Sequence, residues 1–190
     1  AIANNGTVYS GSNGKALLYA VTAPGRARVV HDCVGHDVKA IAIAPADQGG
    51  AVFSICNHYA GSFKGLRPPK ALGKVTISKS SSRPKAAKPG KGRLIRIKTG
   101  GVAELMLKND KTHFVSLALD ETGMPLVGTG SEGQVFGVDD NHVERLLADT
   151  DERQVGSLMT TGKTPYFVSS DPVVLHPITG IGGADAIWTC

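Results

Sequence analysis

Short strands recur in this chain with a period of about 41 residues, and no other feature limits its fold as tightly. The clearest unit runs from Phe114 to Val138. Phe114 to Leu119 is an apolar run. Asp120-Glu121-Thr122-Gly123 follows as a turn, with acceptor side chains first and then a glycine for positive φ. Pro125 to Gly130 is a second strand, small and glycine-rich. Ser131-Glu132-Gly133 is a tight hairpin connection, and Val135 to Val138 opens a third strand.

Copies of this unit lie on both sides. Thr7 to Tyr19 repeats a strand, a hairpin and a strand, with Ser10-Gly11-Ser12-Asn13-Gly14 in place of Thr129-Gly130-Ser131-Glu132-Gly133. Gly35 to Pro45 corresponds to Phe114–Leu119 and to Gln154–Met159, and Ala51 to Cys56 is the strand after it. Gly92 to Ile97 matches Gly133 to Val138 at an offset of 41, and Leu117 stands 41 residues before Leu158. Arg26–His31, Val102–Leu107 and His142–Leu147 fill a fourth place, and Asp171–Ile178 repeats the third. Four short antiparallel strands per period are the signature of β-propeller blades. The expectation is an all-β chain of about four blades, over residues 7–57 and 92–178, with a glycine-rich tail at 179–190. The apolar strand of each unit should line the channel, and the alternating one should form the solvated edge. The chain starts on a second strand and stops on a third, so it reads as an arc, part of a larger propeller. Tyr9, Leu17 and Tyr19 are expected on one uncovered end, and Tyr166, Val168 and Val173 on the other.

Residues 58–91 break the period. No Asp or Glu occurs from Gln48 to Ala103, while Lys64 to Lys98 holds twelve of the 21 basic residues. The net charge of +5 is therefore a mildly acidic body carrying one basic insert. Ser78 to Lys91 has no large apolar residue, and such composition offsets too little ordering entropy to hold a fixed structure. Lys70, Lys74, Lys79, Arg83, Lys85, Lys88 and Lys91 are its candidate contacts for an anionic partner. With only Tyr59 and Phe63 close by, stacking on nucleic-acid bases has little to stand on.

No apolar stretch is long enough to span a membrane as a helix, and Ala1–Asn5 does not read as a signal peptide. Cys33 and Cys56 lie in or beside apolar runs and read as small buried hydrophobes, with a disulfide left open; Cys190 makes the number odd. No CxxC or Cys/His spacing suggests zinc.

Gly35-His36, followed by a strand and then by the turn before Gly49-Gly50, resembles a WD-repeat blade, although the Trp-Asp dipeptide is missing from every unit. Leu126 to Val138 is closer to the divergent, WD-repeat-like propeller repeats of large, often secreted bacterial proteins of unknown function. The resemblance implies a propeller and favours the periplasm or the cell exterior, and it brings no catalytic motif. It also implies that a histidine at His36 or His113, just before an inner strand, braces its blade; Gln154 marks that place in the next unit.

The remaining candidates read blandly. Ser10, Ser116, Ser157, Ser169 and Ser170 lack a nucleophile elbow. Gly128 to Gly133 contains GxGxxG, but between two strands, where no helix supplies the dipole for a phosphate. Asp139-Asp140-Asn141 and Asp149 to Glu152 do not fit a calcium loop. No catalytic residue, metal or cofactor is assigned. The expected function is a non-catalytic interaction scaffold in a larger assembly, completed by another protein or a second copy. The alternatives are a sugar-binding propeller completed by oligomerisation and a propeller hydrolase or lactonase, for which Asp120 and Glu121 are the carboxylates at the right strand end.

Overall fold

The computed structural model describes residues 1–59, 90–161, 164–170 and 172–179. Fourteen strands among them form four antiparallel meanders. The first holds β1 (Val8–Gly11), β2 (Leu17–Ala23) and β3 (Arg26–Asp32). The second holds β4 (Asp37–Ile43), β5 (Val52–His58), β6 (Lys91–Ile97) and β7 (Ala103–Asn109). The third holds β8 (Phe114–Leu119), β9 (Pro125–Thr129), β10 (Gln134–Val138) and β11 (Glu144–Asp149). The fourth holds β12 (Gln154–Met159), β13 (Tyr166–Ser170) and β14 (Val174–Pro177). One turn of 3-10 helix, Ala46–Gln48, lies between β4 and β5.

The period reappears in the backbone. Each inner strand has one bulged residue near its start: Lys39 in β4, Val115 in β8 and Gly156 in β12. Val115 and Gly156 are 41 positions apart. Bulges at Val30, Met106 and Leu147 mark the outer strands in the same way. A bulge adds local right-handed twist, so the second and third sheets twist at the same two levels.

Three cores fill the three interfaces between consecutive sheets. Leu18 and Cys33 of the first sheet meet Val52, Cys56, Ile95 and Ile97 of the second. Phe53, Ile55 and Leu94 of the second meet Phe114, Val127 and Val138 of the third. Leu126 and Val135 of the third meet Val155 and Phe167 of the fourth. Strands buried on both faces explain why β5 and β9 are near-continuous apolar runs rather than alternating ones. Among the described residues the fourth sheet packs extensively against the third and makes no extensive contact with the first, so these four sheets follow one another as an arc.

Three details differ from the sequence reading. The chain does not begin on a second strand: Ala1-Ile2-Ala3 folds back on β1 through the Ile2–Val8 bridge and the Ala3 N to Thr7 O bond. These residues take the place of Ala42-Ile43-Ala44, 41 positions later, and stand beside β1 where an inner strand stands in the next sheet. Second, His58 pairs with Lys91 as the last rung of β5 and β6, so both belong to the hairpin rather than to the insert. The rest of the insert, residues 60–89, and the tail from 180 lie outside the described residues. Third, Cys33 and Cys56 are buried, but as a disulfide, with Cα atoms 6.1 Å apart. Cys33, just past the end of β3, meets Cys56 of β5 in the core between the first two sheets.

Candidate functional site

The loops entering the inner strands and the turns between second and third strands share one rim. There the sequence places His36, Asp37, His58, Tyr59 and His113. The His36 backbone N–H donates to Asn57 O at 2.7 Å, and its Nδ1 accepts the Tyr59 N–H at 3.0 Å. A neutral ring accepting at Nδ1 carries its proton on Nε2. His36 thus ties the β3–β4 loop to the end of β5, a bracing contact of the kind the resemblance implied.

The rings continue from there. His58 lies 4.6 Å from His36, and Tyr59 lies 5.5 Å from His113, edge to face. The Tyr59 hydroxyl donates to Asp37 Oδ2 over 3.4 Å. Burial first, and then the Asp37 charge, push the Tyr59 phenol up to about 12, so it remains a donor. Burial pulls His113 below the ordinary histidine range against the opposing pull of Asp37. His113 Nδ1 and Asp37 Oδ1 are buried and have no hydrogen-bond partner among the described residues. Gly90 permits this crowding, because a Cβ there would stand 2.8 Å from the Tyr59 ring and 2.9 Å from His113 Cβ. Beside this cluster, Asn57 is fully buried and grips Phe114 of the next sheet with both amide atoms, donating to its O at 2.8 Å and accepting its N–H at 2.9 Å. Ser116 repeats the stitch one sheet on, donating to Val155 O at 2.7 Å.

The other candidates are structural where the described residues show them. Asp120 turns its carboxylate on its own hairpin, accepting from Thr122 N, Thr122 Oγ1 and Met124 N. Asp139 does the same for Asn141 N and Val143 N. Asp140 pairs with Arg96, which also meets Glu104 at 2.8 Å. Hydrogen bonds from Lys98 and Arg96 hold Glu104 down to about 2. In the GxGxxG segment the Gly130 N–H donates to His113 O and the Gly133 N–H to Arg153 O, so these donors are spent on the fold and do not cradle a phosphate. Lys91 pairs with Asp110 at 3.1 Å, which Lys108 shares at 2.6 Å. Lys70, Lys74, Lys79, Arg83, Lys85 and Lys88 lie outside the described residues, as does Cys190. Among the described residues no group of three or more His, Cys, Asp and Glu could hold a metal ion.

The two ends of the arc differ from its middle. Interior second strands are covered: every residue of β9 is buried, and every residue of β5 except His58. Their counterparts are less covered: β1 is largely open, and β13 exposes Tyr166 while it keeps Phe167 and Ser169 buried. Tyr166, Leu175 and Val173 of the last sheet are 37%, 57% and 78% exposed. At the first sheet Val8 is exposed; Tyr9, Leu17 and Tyr19 are half-buried, with Tyr9 packed on the neighbouring core.

A solved protein assigned as a candidate gluconolactonase superposes on 93% of this chain with a TM-score of 0.56 at 13% identity. The fold is a β-propeller. This propeller chain spans 60% of that protein's length. The extracellular domain of a candidate one-component system from B. thetaiotaomicron covers 90% of the chain and is itself covered over 26%, with a TM-score of 0.40 at 11% identity. No family model and no curated protein matches the sequence. Asn57, His58 and Tyr59 escaped sequence reasoning, since a polar triplet at the lip of a basic insert looks like the start of a loop.

Proposed function

We propose that this propeller chain is a non-catalytic interaction scaffold, one component of a larger assembly in which another protein or a second copy covers its terminal blades. The contrast between β5 or β9, wholly or almost wholly buried, and β1, largely open, carries the reading, together with exposed Tyr166, Val173 and Leu175 at the other end. The same structural position is covered inside the arc and less covered at its ends. Soluble monomers rarely leave contiguous apolar area beyond a few hundred Å² in water, and at about 25 cal/mol per Å² covering it is a substantial driving force for association. The basic insert adds a second contact, for an anionic partner. The turn-bound carboxylate of Asp120 supports the non-catalytic side of the reading, because a lactonase would need it turned to the channel.

Light scattering coupled to size exclusion at micromolar concentration tests the scaffold. A mass at a multiple of 19.7 kDa, or a partner retained from the source cell, is expected. A sharp monomer with a cooperative melt overturns it. Lactone hydrolysis by the purified chain with added calcium, abolished by Asp120→Asn, would replace the scaffold with the hydrolase.

A further inference from the structure

The strand registers say which side chains stand on the outer faces of the first and fourth sheets. Residues directly opposite one another in an antiparallel pair share a face. On the first sheet Val8 stands opposite Val21, and Tyr19 opposite Val29. On the fourth, Tyr166 stands opposite Met159 and Pro177, and Val168 opposite Leu175. None of these residues is charged. Val8, Val29, Met159, Tyr166 and Leu175 are 37% to 57% exposed.

The repeat identifies each face. Tyr19 lies 78 positions before Ile97, and Ile97 lies 41 before Val138. Ile97 and Val138 are buried against the preceding sheet. Val8 lies 119 positions before Val127, the sum of the same two offsets, and Val127 is buried against the second sheet. Val8 and Tyr19 are therefore built like residues that receive a preceding blade. The fourth sheet shows the opposite half. Thr129 stands opposite Phe114, and Ser169 opposite Val155, 41 positions after Phe114. Tyr166 thus holds the place of Leu126, each three residues before its marker. Val135 pairs with Gly128 as Leu175 pairs with Val168. Leu126 and Val135 are fully buried in the core that they form with Phe167 and Ile178 of the next sheet.

The two outer faces are thus the two halves of a joint that the chain already makes within itself. We infer that a second copy of this chain covers them, head to tail. Tyr166 and Leu175 of one copy meet Val8 and Tyr19 of the next, as Leu126 and Val135 meet Phe167 and Ile178 inside the arc. This rests on the scaffold reading and selects the partner within it. Each half matches the other and not itself, so the contact is heterologous, and such contacts close into a ring where the rotation allows. Two arcs of four sheets make eight blades, within the range of roughly four to eight in which propellers close.

Complementary variants of the full chain test the joint by sedimentation velocity. Val8→Arg spoils the receiving face and Leu175→Arg the opposite one, both at exposed positions. The parent is expected at two chains or more, and each variant alone at one chain of 19.7 kDa. An equimolar mixture of the two variants should recover a species of two chains, because one copy's Tyr166 face and the other's Val8 face are intact. Val29→Glu with Met159→Glu repeats the experiment if either arginine variant loses its β-type circular dichroism. A parent that assembles while single variants stay assembled, or while the mixture stays monomeric, overturns the head-to-tail joint and leaves the scaffold reading standing. A monomeric parent overturns the inference, and with a cooperative melt it overturns the scaffold reading as well.

Discussion

Replacing Asn57 with alanine should open the seam between the second and third blades. Asn57 is 1% exposed, and its amide bonds both the N–H and the C=O of buried Phe114. Alanine removes two hydrogen bonds and leaves two buried main-chain groups without partners. Each orphaned group costs about 1–3 kcal/mol, and the vacated amide leaves a small cavity besides. The sum is about 3 kcal/mol, which for a chain of this size lowers the melting temperature by about 6–12 °C. Thermal unfolding followed by far-UV circular dichroism reads this directly. Asn57→Asp sharpens the test. It keeps the shape and the acceptor, but sets a carboxylate oxygen without a proton against Phe114 O, so it should be at least as damaging at pH 7. Ser116→Ala, which breaks the single bond of the next seam, should cost about 1 kcal/mol. An Asn57→Ala protein that melts with the parent, or an order in which Ser116→Ala is the worse variant, would refute the stitching argument.

Reducing Cys33–Cys56, or replacing both with alanine, should cost about 3 kcal/mol, since the bridge closes a loop of 23 residues; urea unfolding with and without reductant checks it. Acidification should act in two windows. Burial lowers the folded His113 value below 6.5, so the unfolded chain binds the proton first and stability falls as pH drops below about 6.5. Glu104 is held down to about 2 from 4.5, so its contribution is present above pH 4.5 and is lost from there toward 2. Urea midpoints at pH 7.5, 5.5 and 3.5 should decline in both steps, and a flat profile from 7.5 to 5.5 would exclude the buried His113. Gly90→Ala should destabilise the rim, because its Cβ would press on Tyr59 and His113; a melt like the parent's would show that the two rings can move apart.

The sequence announced the architecture because its signal is local and repeated. Strands of four to seven residues, turned by Asp-rich or Gly-rich linkers, returned at a fixed spacing, and the four meanders follow it. Ala1-Ile2-Ala3 went unread because three residues carry no periodicity of their own; only the hydrogen bonds to β1 show what they are. The disulfide was left open because Cys33 and Cys56 look, one at a time, like any small buried residue, and their meeting depends on how two sheets face each other. His36 was legible as a brace from its place before an inner strand. Asn57 was not, since its value lies in reaching Phe114, 57 residues away.

The bulges bear on how this arc can associate. The unpaired edge of a strand invites main-chain pairing with another molecule, and a bulge spoils that edge by bending it out of register. Here β4, β8 and β12 are bulged near their starts, the outer strands β3, β7 and β11 are bulged farther along, and the edge of β1 is partly capped by Ala1–Ala3. Among the described residues, the pairing of β14 with β13 is regular and leaves β14 as an edge, and β14 closes on Pro177, which has no N–H to give. Such edges resist runaway cross-β growth. Contact with a partner is thereby steered from the backbone to the side chains of the blade faces, where shape decides who fits.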